Sequence, residues 1–231
     1  MPRTKAPLWD LTEIENRILA HKDDLIVFNK PYDWPTSGHH LEDDDCVQYH
    51  LISYLLEKGI ISPTQKHPRG MVWAIHQLDA DTSGLLLFTT DKKKVKHYHD
   101  LLVHAETEKH YLAIISGSPS WDHHTEEAPV GKFPNGNRGI LPLEEGGLSS
   151  RTDFTVIDRH PNHTVLKVLL HTGRTHQIRI HLQHLGHPLL GEEWYAPKPC
   201  RQHYRQALHA QSISITDIPS CPIASDLKTL L

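Results

Sequence analysis

The run Leu85-Leu86-Leu87-Phe88 constrains the fold more than any other feature, because four consecutive large apolar residues predict a buried strand. Directly before it lies a polar segment, residues 77–83, which carries two carboxylates, Asp79 and Asp81. We predict a strand in MVWAIH before this segment and another in GLLLFTT after it. The polar segment is then a loop at the end of a buried strand, which would give Asp79 a fixed position.

The rest of the chain alternates between helix and strand patterns. From Glu42, the spacing of Val47, Leu51, Tyr54 and Leu55 predicts an amphipathic helix with acids in its first turn and Gly59 just past its end. Further elements are a helix in LTEIENRIL, a strand at 24–30, a helix capped by Asp91, and strands in KHYLAIISG, FTVID and TVLKVLL. Without a βαβ cadence or a break in composition, this order favours one α+β domain.

Composition excludes several classes of protein. A net charge of −4 and a pI near 6.6 exclude a polyanion binder whose whole surface is basic. Three cysteines with no CxxC pair indicate neither a disulfide framework nor a cysteine metal site, which fits a reducing compartment. With no leader-like or membrane-spanning run, we expect a cytoplasmic protein. The 21 histidines are mostly dispersed, as expected for solvated or core-edge side chains.

A second motif, HTGRTHQIRIHLQHLGHPLLGEEWYA, occupies residues 171–196. Its order is strand, glycine turn, helix and glycine stop. On a helix that starts near Thr175, one face would be buried and the other would form the wall of a site. The predicted buried stripe is Ile178, Leu182 and Leu185, and the opposite face carries His176, Arg179 and Gln183. Arginines at 174 and 179 can contact phosphate or pair with a carboxylate.

Together the two motifs resemble those of the RluA-type pseudouridine synthases. The family pattern HRLDxxTSGLLL is matched by residues 76–87, and TGRTHQIRxHLxxLGHPLxGDxxYG is matched by residues 172–196. Glu192 stands in place of the family's Asp, and Ala196 in place of its last Gly. The similarity extends to IVFNKP, EKHYLAIISG, SRTDF and QALHA, and so covers nearly all of residues 24–215.

The resemblance implies a fold and an activity. It implies a catalytic domain at 24–215, with a mixed, mainly antiparallel central sheet flanked by helices, between an N-terminal extension at 1–23 and a tail at 216–231. The extension is too short for the S4-type RNA-binding domain of many family members. The implied reaction converts specific uridines of structured rRNA or tRNA to pseudouridine with no cofactor and no metal. We expect a monomer whose partner is RNA and which does not bind membranes.

The resemblance assigns three catalytic residues. Asp79 would be the nucleophile on a flipped-out uridine, attacking either C1′ of the ribose or C6 of the base. Arg179 would pair with Asp79 and favour its anionic form. Tyr111 would stack on the target base and is a candidate for the proton transfers. Asp81 falls on a variable family position and is interpreted as structural.

Other residues are assigned to RNA binding or to support. Gln77 stands where most family members have Arg, so it can hydrogen-bond a base edge but has neither the charge nor the stacking plane. The predicted RNA-binding residues are Gln77, Lys92, Lys93, Arg151, Arg174 and His176, although the lysine run is equally compatible with a solvated face. The predicted support residues are Lys30, Thr82, Ser83, Gly84 and Gln177.

Three alternative functions remain open from the sequence. A metal enzyme is suggested by the spacing of His176, His181, His184 and His187, but Gly186 would end the helix before the last of these. A glycoside hydrolase would need facing carboxylates, and Asp79 and Asp81 are too close in sequence for that. An RNA-binding or RNA-folding family member with little catalysis is suggested by Gln77 and the acidic net charge.

Overall fold

A computed structural model describes residues 9–38, 43–67, 70–196, 203–215 and 218–231. The chain forms two compact units. The first comprises Met1–Leu102 and Thr216–Pro222, and the second comprises Val103–Ile215 and Ile223–Leu231. Within the described residues, no helix has the length and apolar character that crossing a membrane requires.

In the described part of the first unit there are three helices and four strands. They are α1 (Leu11–Arg17), β1 (Ile18–Lys22), β2 (Leu25–Lys30), α2 (Val47–Glu57), β3 (Trp73–Ala74), β4 (Ser83–Thr89) and α3 (Val95–Val103). A 3-10 turn, Lys92–Lys94, leads into α3. All strand pairings in this unit are antiparallel, β1 with β2, β2 with β4, and β3 with β4.

Strand β4 confirms the buried strand predicted from the apolar run, since all seven of its residues are buried. It pairs with the whole of β2, from Leu25 opposite Thr89 to Lys30 opposite Gly84. Phe28 and Phe88 meet edge to face, with ring centroids 6.4 Å apart. The strand therefore anchors the polar loop that precedes it.

Two boundary predictions in this unit are wrong. The last residues of LTEIENRIL lie in β1, because Ile18 adopts extended backbone and ends α1. Helix α2 does bury the predicted stripe, but it begins at Val47 with Cys46 as its N-cap, so Asp43–Asp45 precede it and no acid occupies its first turn. Glu42 lies outside the described residues.

Strand β3 is shorter than the predicted MVWAIH. His76 explains where it ends, because its Nε2 accepts the hydrogen bond of the Leu87 N–H at 3.2 Å, in a position where a strand carbonyl would serve. One further backbone bond joins the two segments, from the Ile75 N–H to the Leu87 carbonyl at 2.9 Å. The chain leaves the sheet at this point and enters the polar loop.

Seven strands and two helices lie in the residues of the second unit that the structure describes. They are β5 (Lys109–Ser116), β6 (His123–Glu126), β7 (Val130–Lys132), β8 (Arg138–Ile140), β9 (Thr152–Arg159), β10 (His163–Leu170), α4 (Gln177–His184), β11 (Leu208–Ile213) and α5 (Ser225–Lys228). A 3-10 turn covers Leu143–Glu145. Five strands form an antiparallel sheet in the order β11-β5-β10-β9-β6, and β7 and β8 form a separate hairpin.

Alternating residues of β5 belong to two apolar clusters. Ala113 and Ile115 belong to the cluster that contains Ile178 and Leu182 of α4, whereas Ile114 belongs to a cluster with Leu227 of α5. This alternation follows from the period of two along a strand, which sends successive side chains to opposite faces. Helices therefore pack on a mainly antiparallel sheet, and the predicted α+β class is confirmed.

The end of the predicted C-terminal tail belongs to the core of the second unit. Leu227 is fully buried, and Asp226 accepts hydrogen bonds from Nε and Nη2 of Arg205 at 2.7 and 3.1 Å. Arg205 is itself 3% exposed. A charge at that depth needs a partner, so the Arg205–Asp226 pair attaches the last helix to the preceding chain.

This pair predicts a pH-dependent contribution to stability. Burial raises the pKa of Asp226, but the hydrogen bond and charge of Arg205 lower it, and the net pKa lies below the usual 3.8. A folded-state pKa below the unfolded one stabilises the protein above the unfolded value, and that stability is lost as pH falls through the folded value. At neutral pH, Asp226→Asn should lower the free energy of unfolding by about 2 kcal/mol.

Thermal melts at a series of pH values measure this difference. At neutral pH the gap in Tm between wild type and Asp226→Asn should be about 4–8 °C for a chain of this length. The gap should narrow as pH falls below the usual Asp range, because the wild-type carboxyl then becomes protonated. A gap in Tm that stays constant as pH falls below that range would contradict the charged pair.

Candidate active site

The loop that carries Asp79 is fixed by hydrogen bonds on both sides of that residue. The Thr36 hydroxyl donates to the Leu78 carbonyl at 3.2 Å and accepts from the Leu78 N–H at 3.1 Å. The Thr82 N–H donates to the Asp79 carbonyl at 3.0 Å, which closes a tight turn. Asp79 is half-buried, so it lies close to solvent on a backbone that these hydrogen bonds hold in place.

Lys30 supports the same loop from the end of β2. Its side chain is fully buried, and its Nζ donates to the carbonyls of Pro31, Trp34 and Ala80 at 2.9, 2.7 and 2.6 Å. An ammonium has three N–H donors, and burying it is tolerable only when they are hydrogen-bonded. Lys30 thus joins β2 to the residue that follows Asp79.

The three residues after the carboxylates connect the loop to β4. Thr82, Ser83 and Gly84 are all buried. Gly84 has φ 114°, which side-chain-bearing residues rarely adopt, and it lies opposite Lys30 in the β2–β4 pairing. The predicted tight approach at this glycine therefore has a backbone cause. Gln77, in contrast, is exposed, and its Nε2 donates to the Ser37 hydroxyl at 3.3 Å.

The lysine run after β4 divides into two groups. Lys92 and Lys93 are exposed, and the Asp91 carboxylate caps their turn by accepting from the Lys93 N–H at 2.9 Å. Lys94 pairs with Asp24 instead. Burial raises the pKa of Asp24, but the hydrogen bonds from Lys94 and Thr89 lower it to below its usual range. Lys94 is exposed as well, but its ammonium is engaged in this ion pair and therefore serves the fold.

In the second unit, Arg179 forms a buried ion pair with Glu192. Its Nε and Nη2 donate to the two carboxylate oxygens at 2.8 and 2.7 Å, and the residues are 5% and 0% exposed. Burial raises the pKa of Glu192, but Arg179 and the N–H groups of Trp194 and Tyr195 lower it to below its usual value. The guanidinium carbon lies 5.1 and 5.2 Å from the centroids of the Trp194 and Tyr195 rings.

The face of this helix that we predicted to form the wall of a site is only partly exposed. Helix α4 begins at Gln177 rather than near Thr175, and residues 177–182 are all buried. Arg179 is buried because Glu192 balances its charge and two aromatic rings cover it. Gln183 is exposed as expected. The sequence alone did not predict Glu192 as the partner of Arg179, although both residues lie in the same motif.

Gln177 organises the turn that leads into α4. Its Oε1 accepts from the Thr172 hydroxyl at 2.8 Å and from the Arg174 N–H at 3.0 Å. Its Nε2 donates to the Arg151 carbonyl at 3.0 Å and to the Thr152 hydroxyl at 2.9 Å. One buried amide thereby joins the start of β9 to the glycine turn of the second motif.

The remaining site residues of this unit have diverse surroundings. Tyr111 is half-buried on β5, opposite Val168 of β10, and packs against the cluster that contains Ile178. Arg174 is half-buried, and its Nε donates to the Ser149 carbonyl at 3.0 Å. Arg151 is exposed and lies 3.5 Å from carboxylate oxygens of Glu127 and Asp153.

His176 is the N-cap of α4 and has a left-handed backbone, with φ 59°. Its Nδ1 is hydrogen-bonded to the Tyr195 hydroxyl at 2.8 Å. Its ring centroid lies 5.2 Å from that of Trp194. Thus His176, a predicted RNA-binding residue, and Arg179, a predicted catalytic residue, both contact Trp194 and Tyr195.

The predicted residues thus fall into two groups. Lys30, Gln77, Asp79, Thr82, Ser83, Gly84, Lys92 and Lys93 belong to the first unit, and Tyr111, Arg151, Arg174, His176, Gln177 and Arg179 belong to the second. The first group is arranged around the Asp79 loop, except for the two lysines beyond β4. The second group is arranged around the turn and first residues of α4, except for Tyr111 on the sheet.

Among the histidines that suggested a metal site, His176, His181 and His187 have other hydrogen-bond partners. His181 is buried, with Nδ1 3.0 Å from the Thr152 hydroxyl and Nε2 3.0 Å from the Ala128 carbonyl. Burial lowers its pKa, so the ring stays neutral at neutral pH. His187 is hydrogen-bonded to the Ser116 carbonyl at 3.3 Å. Among the residues that the structure describes, no three His, Cys, Asp or Glu side chains are grouped as metal ligands.

Comparison with known proteins identifies a family. Residues 24–184 match the model described as RNA pseudouridylate synthase. The chain is 31% identical to ribosomal large subunit pseudouridine synthase C of Haemophilus ducreyi, covering 100% of this chain and 74% of that protein. It is 34% identical to ribosomal large subunit pseudouridine synthase D of Nitrosomonas europaea, covering 93% of this chain and 64% of that protein. This chain therefore spans only about two thirds of the latter's length.

Two solved structures share the fold. Human RNA pseudouridylate synthase domain containing 4 superposes with a TM-score of 0.75 at 18% identity, covering 94% of this chain and 92% of that one. Human RNA pseudouridylate synthase domain containing 1 gives a TM-score of 0.70 at 24% identity, covering 90% and 81%. At these identities the likeness concerns the fold alone.

Proposed function

Because the chain belongs to the RNA pseudouridylate synthase family, an isomerase family, we propose that it converts specific uridines of structured RNA to pseudouridine, with Asp79 as the nucleophile. The observation that carries the proposal is the double anchoring of the Asp79 loop. Thr36 bonds both backbone groups of Leu78, and the buried Lys30 bonds the Ala80 carbonyl. A reacting carboxylate must be held in position, and the family motif lies on this anchored backbone.

The reaction rearranges bonds within one nucleotide. Asp79 attacks C1′ of the ribose or C6 of the base, and the N1–C1′ bond breaks. The uracil turns and C5 bonds to C1′, and the bond to Asp79 breaks so that the carboxylate is regenerated. C5 then loses its proton and N1 gains one, which leaves the composition of the nucleotide unchanged. Tyr111 stacks on the base and handles the proton transfer. The uridine must first leave its stack, which costs a few kcal/mol and costs least in loops, so the proposed substrate is an unpaired or loop uridine.

We propose that Arg179 keeps Asp79 ionised. Two of its guanidinium nitrogens, Nε and Nη2, already donate to Glu192, which fixes the plane of the group. A planar, preoriented guanidinium can hold two carboxylates at once, whereas a lysine ammonium is a single point charge on a flexible stem.

Arg179→Lys should therefore cut turnover by about 100-fold or more, the scale of losing one oriented donor at a reacting centre. Turnover is measured as the release of the C5 hydrogen from RNA whose uridines are labelled at C5. A thermal melt of the same variant measures stability. Reduced turnover in a protein that remains folded at the assay temperature would support the pairing. Near-normal turnover would refute the pairing of Arg179 with Asp79.

We assign RNA binding to local groups on a protein whose net charge is negative. The proposed contacts are the exposed Gln77, Lys92, Lys93 and Arg151 and the half-buried Arg174 and His176. The names of the relatives point first to large-subunit ribosomal RNA, with transfer RNA as the other class to be examined. We propose that the protein acts on this RNA in the cytoplasm.

Mapping of pseudouridine at nucleotide resolution tests the proposal. Ribosomal and transfer RNA would be compared between a deletion strain of the source organism and the same strain complemented with wild type or with Asp79→Ala. A site that disappears on deletion and returns only with wild type would establish the activity and name the substrate. Unchanged RNA in every strain would instead favour an RNA-binding protein with little catalysis, the alternative suggested by Gln77.

A further inference from the structure

We propose that Trp194 is a stacking platform for an unpaired nucleobase that neighbours the target uridine in the RNA substrate. The inference rests on the proposed function in one respect, that RNA is the substrate. Trp194 follows the family's acidic position by two residues, and the resemblance gives it no role. The evidence is its exposure, its attachment to Arg179, and the backbone of His176.

The indole of Trp194 is held from one side and open on the other. Its side chain is 70% exposed, the highest value among the large hydrophobic residues that the structure describes. The Arg179 guanidinium carbon lies 5.1 Å from the ring centroid, and the His176 ring lies 5.2 Å away at 59°. The Trp194 N–H also donates to Glu192 at 3.0 Å. A large flat apolar surface is thus presented to solvent on an anchored residue.

The other tryptophans show that this exposure is specific to one position. The chain has five tryptophans, and Trp9, Trp34, Trp73 and Trp121 are all buried or half-buried. Removing an exposed indole from water is favourable, and a ring that is already oriented loses little conformational entropy on binding. An aromatic side chain in this state is suited to bind another flat ring.

Backbone strain at His176 supports the same interpretation. Its φ of 59° lies in the left-handed region, which is unfavourable for a residue with a side chain. This conformation accompanies a ring that contacts Trp194 and is hydrogen-bonded to Tyr195. Residues held in such conformations concentrate at binding and catalytic sites. We therefore attribute the strained backbone of His176 to its role in holding a ring against the Trp194 indole.

The chemistry of the surroundings favours a base over a phosphate. Arg179 is paired with Glu192 and is also proposed to pair with Asp79, so its charge offers little further attraction for a phosphate. Nucleobases have π faces that stack on aromatic side chains whatever their sequence, and only unpaired bases expose those faces. Tyr111 is assigned to the target base. Since Arg179 is assigned to the reacting centre, a base on Trp194 belongs to an adjacent nucleotide.

Binding of a short fluorescein-labelled oligouridylate tests the proposal without requiring catalysis. Trp194→Leu retains an apolar group over Arg179 but removes the aromatic face, and Trp194→Phe retains a ring. We expect the Leu variant to raise Kd by about 5- to 100-fold, the range for losing one stacked base, and the Phe variant to retain most of the affinity. A fully paired RNA duplex is the control, and its Kd should be the same for all three proteins. Equal Kd values for oligouridylate in wild type and Trp194→Leu would overturn the proposal.

Intrinsic fluorescence gives a second, independent readout. Because Trp194 is the exposed tryptophan, oligouridylate should quench a component of wild-type emission that Trp194→Phe lacks, and inorganic polyphosphate should not quench it. Quenching that is identical in both proteins would overturn the stacking contact. A purely structural role would appear as a lower Tm and kcat in Trp194→Leu with unchanged Kd and KM, which also overturns it.

These outcomes are separable from those of the proposed function. If mapping finds no pseudouridine but Trp194→Leu weakens oligouridylate binding, the stacking role stands and catalysis fails. If pseudouridine forms and Trp194→Leu has a wild-type KM for the mapped RNA, catalysis stands and the stacking role fails.

Discussion

Asp79→Asn is expected to abolish pseudouridine formation and leave the fold intact. An amide has the shape of the carboxylate but cannot act as the nucleophile, so the rate should fall by at least about 10³-fold, as when an enzyme loses a reacting group. The backbone bonds that hold the loop come from Thr36, Lys30 and Thr82, and they do not use the Asp79 side chain. Release of the C5 proton measures the rate, and a thermal melt measures the fold.

Asp81→Asn is the matched control for this prediction. It makes the same chemical change two residues away, in the same loop and at the same degree of burial. Turnover should stay within a few-fold of wild type, because Asp81 is interpreted as structural. Two equally inactive variants would show that loop geometry, rather than the Asp79 carboxylate, limits the rate. Substantial turnover in Asp79→Asn would remove Asp79 as the nucleophile.

Among the substitutions proposed as tests, Glu192→Ala should lower the free energy of unfolding the most. Truncation removes the carboxylate that accepts from two nitrogens of Arg179, which is 5% exposed, and breaking a buried pair in this way costs about 3–5 kcal/mol. It also removes the acceptor of the Trp194 and Tyr195 N–H groups. For a chain of this length, the loss corresponds to a fall in Tm of about 6–20 °C, which calorimetry or circular dichroism would detect.

The neighbouring Glu193 provides the control, since Glu193→Ala changes the same residue type at an exposed position. Its free energy of unfolding should stay within about 0.5 kcal/mol of wild type. Glu192→Asp is a second informative variant, because it installs the residue that the family motif carries. It keeps the charge one methylene shorter and should be milder than Glu192→Ala. Equal melting of wild type and Glu192→Ala would show that Arg179 does not depend on this partner.

The chain's local signals were sufficient for part of the fold. The apolar run predicted β4, and the spacing of Val47, Leu51, Tyr54 and Leu55 identified the buried face of α2, because both patterns depend on neighbouring residues along one strand or helix. Element ends were less predictable. The His76 side chain accepts a backbone hydrogen bond at the end of β3, and Asp43–Asp45 precede α2 instead of lying in its first turn. Neither feature produces a periodic pattern in the sequence.

Sequence by itself determined the family, the α+β class and the position of the candidate nucleophile, since motifs and periodicity are written in consecutive residues. Only the tertiary structure decided that Arg179 is buried on Glu192, that Lys30 holds the Asp79 loop through three carbonyls, and that the C-terminal helix completes a core. The physical reason is that the local pattern of a helix or strand predicts that its charged side chains face solvent. Whether burying it is tolerable depends on partners supplied by distant segments of the chain.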